Sequence, residues 1–146
     1  MSLITDKVFF NALQASASIV SATDGRIYNT SVPVPDEQLD NEPLPYIVIT
    51  FDGLTNEGLT KDSSYEGEDD RVQIGILVVA AERESLGVLT EAVRKQVKDY
   101  FEAVQPKDAD FDLVPADYTF SASPIQFDWM VPCHYQTLTY NCDTNP

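Results

Sequence analysis

The chain has 146 residues, a length that corresponds to one compact domain with a buried core. Its composition, 43% hydrophobic and 23% charged with 6 Gly, excludes collagen-like, low-complexity and wholly disordered proteins. Nine Lys and Arg against 24 Asp and Glu give a formal net charge of −15, which disfavours direct recognition of nucleic acid or of an anionic membrane. Neither a membrane-spanning apolar run nor a signal-peptide layout can be read, so we expect a soluble, intracellular product.

The first segment places apolar residues at three- and four-residue spacings, which predicts an amphipathic helix. The series is Ile4, Val8, Phe9, Ala12, Leu13, Ala17 and Val20. Ser2 or Thr5 is available as its N-cap, and Asp24-Gly25 is expected to end it. Residues 26–29 then predict a short strand, and the four prolines of residues 30–45 predict an exposed, extended connector.

Two β-branched and aromatic runs, residues 46–51 and 71–79, predict the central strands of a sheet. The intervening residues 52–70 contain Gly53, Gly58 and Gly67 and end in a run of carboxylates. They predict either an extended hairpin arm or a disordered loop. Eleven acidic residues lie between Asp36 and Asp70, where Lys61 is the one basic residue.

A second helix is predicted from Glu84 to Val104, because one apolar stripe continues through this segment until Pro106 stops it. The stripe comprises Leu86, Leu89, Val93, Val97, Tyr100 and Val104. Alternating residues then predict a strand over 118–122 and another over 129–140, the latter with a bulge or bend near Pro132 or Gln136. Trp129 is expected in the core.

Short, hairpin-like links between the strands favour antiparallel neighbours. We therefore predict an α+β fold: one domain over residues 1–146, with a mostly antiparallel sheet of four to five strands and two helices packed on one face.

No catalytic constellation is evident in the sequence. Cys133 and its neighbour His134 point to opposite faces of one strand and do not meet as nucleophile and base. Cys133 and Cys142, nine residues apart, are expected as free, partly buried thiols. Phosphate-binding glycine loops and metal-ligand spacings are missing, so we expect no catalytic residue, cofactor or metal. The residues we select for interaction with other proteins lie in the arm: Glu57, Tyr65, Glu66, Glu68, Asp69 and Asp70.

A succession of short motifs resembles a known protein family. In order, they are Arg26-Ile27-Tyr28, Pro45-Tyr46-Ile47-Val48, Arg71-Val72-Gln73-Ile74 and Ala92-Val93-Arg94. Their order and spacing, over residues 3–104, are similar to those of the small tail-completion or tail-terminator proteins of long-tailed bacteriophages and prophages. The resemblance implies a structural protein without catalytic residues.

That resemblance also implies partners and a location. The chain would form a homo-oligomeric ring, typically a hexamer, that caps the tail tube and docks to the head-side connector protein. It would occur in the host cytoplasm during assembly and then in the virion tail. The alternatives are a small metal- or carboxylate-dependent enzyme that uses the acidic arm, and a monomeric adaptor that shares the fold.

The net charge carries a separate expectation for such a ring. Carboxylates spread along the channel and rim would let DNA pass without binding, and assembly would tighten as salt screens their repulsion. A ring that dissociates at high salt would instead indicate that these carboxylates pair with Arg or Lys of a neighbouring subunit.

Overall fold

In a computed structural model of the chain, the structure describes residues 5–29, 43–58, 68–103 and 117–143. Three helices and six strands lie within these ranges. In chain order they are α1 (Thr5–Gln14), α2 (Ala17–Thr23), β1 (Ile27–Asn29), β2 (Tyr46–Gly58), β3 (Glu68–Ala80), α3 (Arg83–Ala103), β4 (Asp117–Ala122), β5 (Gln126–Asp128) and β6 (Cys133–Asp143).

The strands form one sheet in the order β1-β2-β3-β6-β4, and β5 pairs with β6 beyond the end of β4. The α+β class is confirmed. The prediction of four to five mostly antiparallel strands with two helices is wrong in detail, because the described chain has six strands in a mixed sheet and three helices.

The parallel pair is β1 and β2, in register from Ile27 opposite Ile47 to Asn29 opposite Ile49. Parallel neighbours need a connection of a dozen or more residues, and residues 30–45 supply that length. At the start of the pair, Arg26 Nε donates a hydrogen bond of 3.1 Å to the Pro45 carbonyl. The prediction of antiparallel neighbours from short links therefore fails for β1 and β2, which a 16-residue link connects.

The main core lies between the three helices and one face of the sheet. Alternate residues of β2, β3 and β6 supply the sheet side, among them Ile49, Ile76 and Leu138, each 0% exposed. The side chain of Gln96 on α3 donates a hydrogen bond of 2.8 Å to the Ala12 carbonyl of α1 and joins two of the helices. The second face carries a smaller apolar cluster of Tyr46, Val48, Val79 and Cys133.

The predicted first helix is divided into α1 and α2. Ser16 is the N-cap of α2: its backbone is extended, and its hydroxyl accepts a hydrogen bond from the Ile19 N–H at 3.3 Å. In α2, Ile19 is buried and Ala17 is exposed. The buried face of α2 is therefore not the one that the apolar spacing of a single continuous helix predicts. The predicted end is correct, because Asp24 caps α2 in the left-handed region at φ 52°.

The long helix α3 spans Arg83–Ala103, within a residue of its predicted bounds. Leu86, Leu89, Val93 and Val97 are buried as predicted, and Phe101, which the stripe did not include, is buried with them. Phe101 contacts the Phe9 ring with centroids 5.1 Å apart and thereby fixes α3 against α1.

The predicted bend near Pro132 corresponds to the turn of residues 129–132, which precedes β6, whereas no bulge occurs near Gln136. The β3–β6 register is uninterrupted from Arg71 opposite Asp143 to Ala80 opposite His134. The apolar pattern of β6 changes phase because Cys133 lies in the second-face cluster, whereas Leu138 and Tyr140 lie in the main core. The irregularity falls on the partner side, where residues 123–125 separate β4 from β5.

Candidate interaction surfaces

The outer ends of β2 and β3 form a two-stranded ribbon that extends past the rest of the sheet. The last residue of β3 that pairs with β6 is Arg71, opposite Asp143. Beyond it, β2 and β3 continue to pair with each other, with Glu57 opposite Asp69 and Gly58 opposite Glu68. We name residues 56–58 with 68–70 the acidic ribbon.

The acidic ribbon contains four of the six residues selected from sequence. The backbones of Glu57 and Asp69 are directly opposite in the ladder, and Glu68 and Asp70 flank Asp69 in the sequence. Tyr65 and Glu66 lie outside the described residues. The ribbon therefore concentrates negative charge at one end of β2 and β3, where positive groups from elsewhere would stabilise it.

A β-bulge sets the direction of the ribbon at its base. The β2–β3 register shifts between Phe51 and Gly53, which leaves Asp52 as the extra residue. The Thr50 hydroxyl donates a hydrogen bond of 2.7 Å to Asp52 Oδ1. A Cβ on Gly75 would lie 2.5 Å from Asp52 Oδ2, so the glycine of β3 leaves room for this side chain. Bulges bend and twist a strand pair, and this one is separated from the start of the ribbon by residues 53–55, where β3 still pairs with β6.

A second surface is the turn between β5 and β6. Trp129 is 84% and Met130 is 91% exposed, so the prediction that Trp129 is a core residue is wrong. The Phe127 ring lies edge-on to Trp129 at 4.7 Å between centroids and contacts His134 at 4.9 Å. Asp128 Oδ1 accepts a hydrogen bond of 2.9 Å from the Met130 N–H, which holds the turn closed. We name Phe127, Trp129 and Met130 the aromatic tip.

Large apolar side chains held in a fixed turn and exposed to water are typical of contact sites between proteins. Trp129 is exposed because it falls in a turn, beyond the last core-facing residues of β5 and β6. Strand alternation alone places it on the same face as Cys133, whereas Asp128 and Pro132, on either side of the exposed residues, are the local signals of the turn.

A groove between α3 and the edge strand β4 is the third surface, and sequence reasoning missed it. It consists of two adjoining recesses of about 490 and 710 Å³. We name it the α3–β4 groove; the charged and aromatic residues that line its smaller recess are Glu91, Arg94, Lys95, Lys98, Tyr118, Phe120 and Tyr140. The Arg94 guanidinium lies 4.5 Å above the Phe120 ring centroid, across the boundary of the two recesses.

The groove contains buried hydroxyls that lack partners. Tyr140 is 1% exposed, yet its OH forms no hydrogen bond. Burial above all, reinforced by the neighbouring Tyr118, raises the pKa of Tyr140, so the phenol remains a hydrogen-bond donor at neutral pH. Thr90 Oγ1, in the adjoining recess, is likewise buried without a partner.

The residues considered for catalysis are separated. Cys133 belongs to the second-face cluster, and the ring of His134 is directed to the Ala81 carbonyl, 3.4 Å from Nδ1. Cys133 and Cys142 are buried and form no disulfide, and burial raises the pKa of the Cys142 thiol to about 12. Within the described ranges, no three His, Cys, Asp or Glu side chains come together as metal ligands. No helix in these ranges is both long and apolar enough to cross a membrane.

Comparison with known proteins gives a likeness in fold. No protein-family model matches the sequence, and no curated protein matches it. Among solved structures, the chain is similar to one from the virion of a native gene transfer agent particle. The TM-score is 0.60 at 12% sequence identity, and the match covers 94% of this chain and 92% of the other. The fold of a virion component is therefore shared over nearly the whole chain.

Proposed function

We propose that this protein is a structural tail-completion, or tail-terminator, protein of a phage-like particle. In this proposal it forms a homo-oligomeric ring, a hexamer by the family resemblance, that caps the tail tube and docks to the head-side connector. It acts in the host cytoplasm during assembly and remains in the virion tail. It acts through surfaces, as a structural protein rather than an enzyme.

The observation that carries the proposal is the likeness to a chain of a gene transfer agent virion over 94% of the sequence. The matched chain comes from a phage-like particle. The motif order in residues 3–104 of this chain independently indicates a protein of such a particle. The aromatic tip adds support, since a turn with Trp129 and Met130 exposed is suited to a protein interface.

Mass photometry and sedimentation of the purified chain test the proposal, over a range of concentrations and with tail-tube protein of the same particle. We expect a discrete ring, six-fold in negative-stain images, that forms alone or on tube ends. A chain that stays monomeric in both conditions would contradict the ring and favour the monomeric adaptor. A hydrolytic activity that depends on the arm carboxylates would favour the enzyme.

A further inference from the structure

In an isolated subunit, the α3–β4 groove contains buried hydroxyls without a hydrogen-bond partner and basic side chains without an ion pair within the described residues. Buried polar atoms in native proteins nearly always have a hydrogen-bond partner. Two buried hydroxyls without one, Tyr140 OH and Thr90 Oγ1, both line this groove. The coincidence indicates that a polar ligand completes the groove.

The charge of the groove indicates the kind of ligand. Arg94, Lys95 and Lys98 are three of the nine basic residues in a chain of net charge −15, and all three line one recess. Within the described part of the chain, none of them forms an ion pair. Two carboxylates line the groove, Glu91 in both recesses and Glu84 in the larger one, and the smaller recess has three cations against Glu91 alone. Cations together with an O–H donor suit a carboxylate ligand.

We propose that the α3–β4 groove binds carboxylates of the acidic ribbon of a second copy of this chain. The inference rests on the proposed ring, and it replaces the expectation that salt tightens assembly: ion pairs between copies predict a ring that dissociates as salt rises. Arg94, Lys95 and Lys98 would pair with these carboxylates, and the Tyr140 hydroxyl would donate a hydrogen bond to one of them.

The strand order explains why the ribbon comes from another copy. The groove lies at the β4 edge, and the ribbon extends from β2 and β3, on the other side of β6. Two strand spacings of about 4.8 Å separate β4 from β3, three separate it from β2, and the ribbon continues along the strand direction rather than across the sheet. A contact between these two different regions is heterologous, and repeating it from copy to copy generates a closed ring when the rotation permits.

Charge reversal tests the pairing. We expect Lys95→Glu with Lys98→Glu to raise the concentration at half-assembly by about tenfold at physiological salt, since two partly exposed ion pairs contribute about that factor. Glu68→Lys with Asp69→Lys is expected to weaken assembly similarly. The chain carrying all four changes restores the pairs with reversed sign and should assemble at nearly the native concentration.

A matched control changes the net charge equally outside the groove. Lys7→Glu with Arg83→Glu alters two exposed residues, one on α1 and one at the start of α3. This control is expected to assemble more nearly like the native chain than Lys95→Glu with Lys98→Glu does. Equal weakening by both double variants, or no restoration in the four-fold variant, would overturn the inference.

Tyr140→Phe tests the hydroxyl separately. The variant removes an unpartnered group from the subunit, so the free energy of unfolding should be unchanged or raised, while assembly weakens. Unchanged assembly would overturn the role of the hydroxyl.

A binding experiment separates this inference from the ring itself. A peptide with the sequence of residues 57–70 is titrated into dilute native chain, and backbone amide shifts are recorded by NMR. We expect saturable shifts at Tyr118 and Tyr140, which a peptide with its acidic residues replaced by Gln and Asn does not produce. If native rings form but neither the peptide nor charge reversal has an effect, the inference fails and the ring stands. If the native chain never assembles, the proposed function fails.

Discussion

Trp129 shows how one residue links the fold to the proposed ring. Its side chain is 84% exposed, so Trp129→Ser should change the free energy of unfolding by no more than about 0.5 kcal/mol. Buried at an interface, the same side chain contributes about 2 kcal/mol or more, so self-association should weaken by at least about tenfold. Sedimentation equilibrium and urea unfolding of the same preparation measure the two effects.

The control for the tip variant is Val88→Ser, which removes an apolar side chain of α3 that is 69% exposed. An equal effect of the two variants on assembly would mean that general surface hydrophobicity, and not the aromatic tip, drives association. A loss of stability in Trp129→Ser would mean that the tip packs on its own subunit.

Cys142 makes the free energy of unfolding depend on pH in the alkaline range. Burial raises the pKa of this thiol to about 12 in the folded chain, above its ordinary value of 9.0. The folded state therefore holds the thiol proton more tightly than the unfolded state does. The resulting contribution of Cys142 to the free energy of unfolding is complete below pH 9 and is lost as pH rises towards 12. The slope is at most about 1.4 kcal/mol per pH unit for one proton.

Urea unfolding at pH 7, 9 and 10 measures this slope. Cys142→Val keeps an apolar side chain beside Val72 and Tyr118, its register partners, and should make the decline above pH 9 less steep. The raised pKa of Tyr140 has the same sign, so part of the decline should persist in the variant. Identical slopes in the two chains would contradict the role of the thiol.

At the scale of elements, the division between α1 and α2 depends on one cap. Ser16→Ala removes the hydroxyl that accepts the Ile19 N–H, and it should lower the free energy of unfolding by about 1 kcal/mol. Ser21→Ala, at an exposed position of the same helix, serves as the control and should be neutral or slightly stabilising. Equal melting temperatures for the two variants would show that the cap contributes little.

Packing of α3 on the sheet provides the second prediction for elements. Leu89 is buried at 6% exposure, and Leu89→Ala should cost about 2–5 kcal/mol in the free energy of unfolding, measured by urea or heat. Val88→Ala, one residue earlier and exposed, should cost much less. If Leu89→Ala kept native stability but failed to assemble, this face of α3 would be an intersubunit contact.

At the scale of the whole molecule, the acidic ribbon lies beyond the part of β3 that pairs with β6. Residues 56–58 and 68–70 pair only with each other in the described sheet, whereas Ile47–Ile49 lie between β1 and β3. We expect amide hydrogens of the ribbon to exchange much faster than those of Ile47–Ile49 in the free subunit, and to slow in the ring. Equal protection of the ribbon in free and assembled protein would contradict this.

The sequence by itself determined the elements whose residues repeat with one clear period. The stripe of α3 from Leu86 to Val97 is confirmed, because one buried face imposes the helical period, and Val104 lies outside the described residues. The β-branched runs of β2 and β3 are confirmed as strands that are buried on both faces of the sheet. Asp24-Gly25 ended α2 for a local reason as well, since the left-handed backbone at Asp24 is a property of the turn. These features depend on neighbours within a few residues, which the sequence shows directly.

Only the tertiary structure decided the mixed sheet, the exposure of Trp129 and the α3–β4 groove. The strand order depends on which edge of the sheet β1 joins, because a 16-residue connection to β2 leaves it free to reach either edge. The apolar pattern of β1 is the same for both edges. Strand β6 buries Cys133 on one face and Leu138 on the other, so its period is ambiguous until both clusters are known. The groove brings Lys95 to Tyr140, 45 positions away, because α3 packs beside β4 and β6. Contacts between distant residues arise from that packing, which no local spacing encodes.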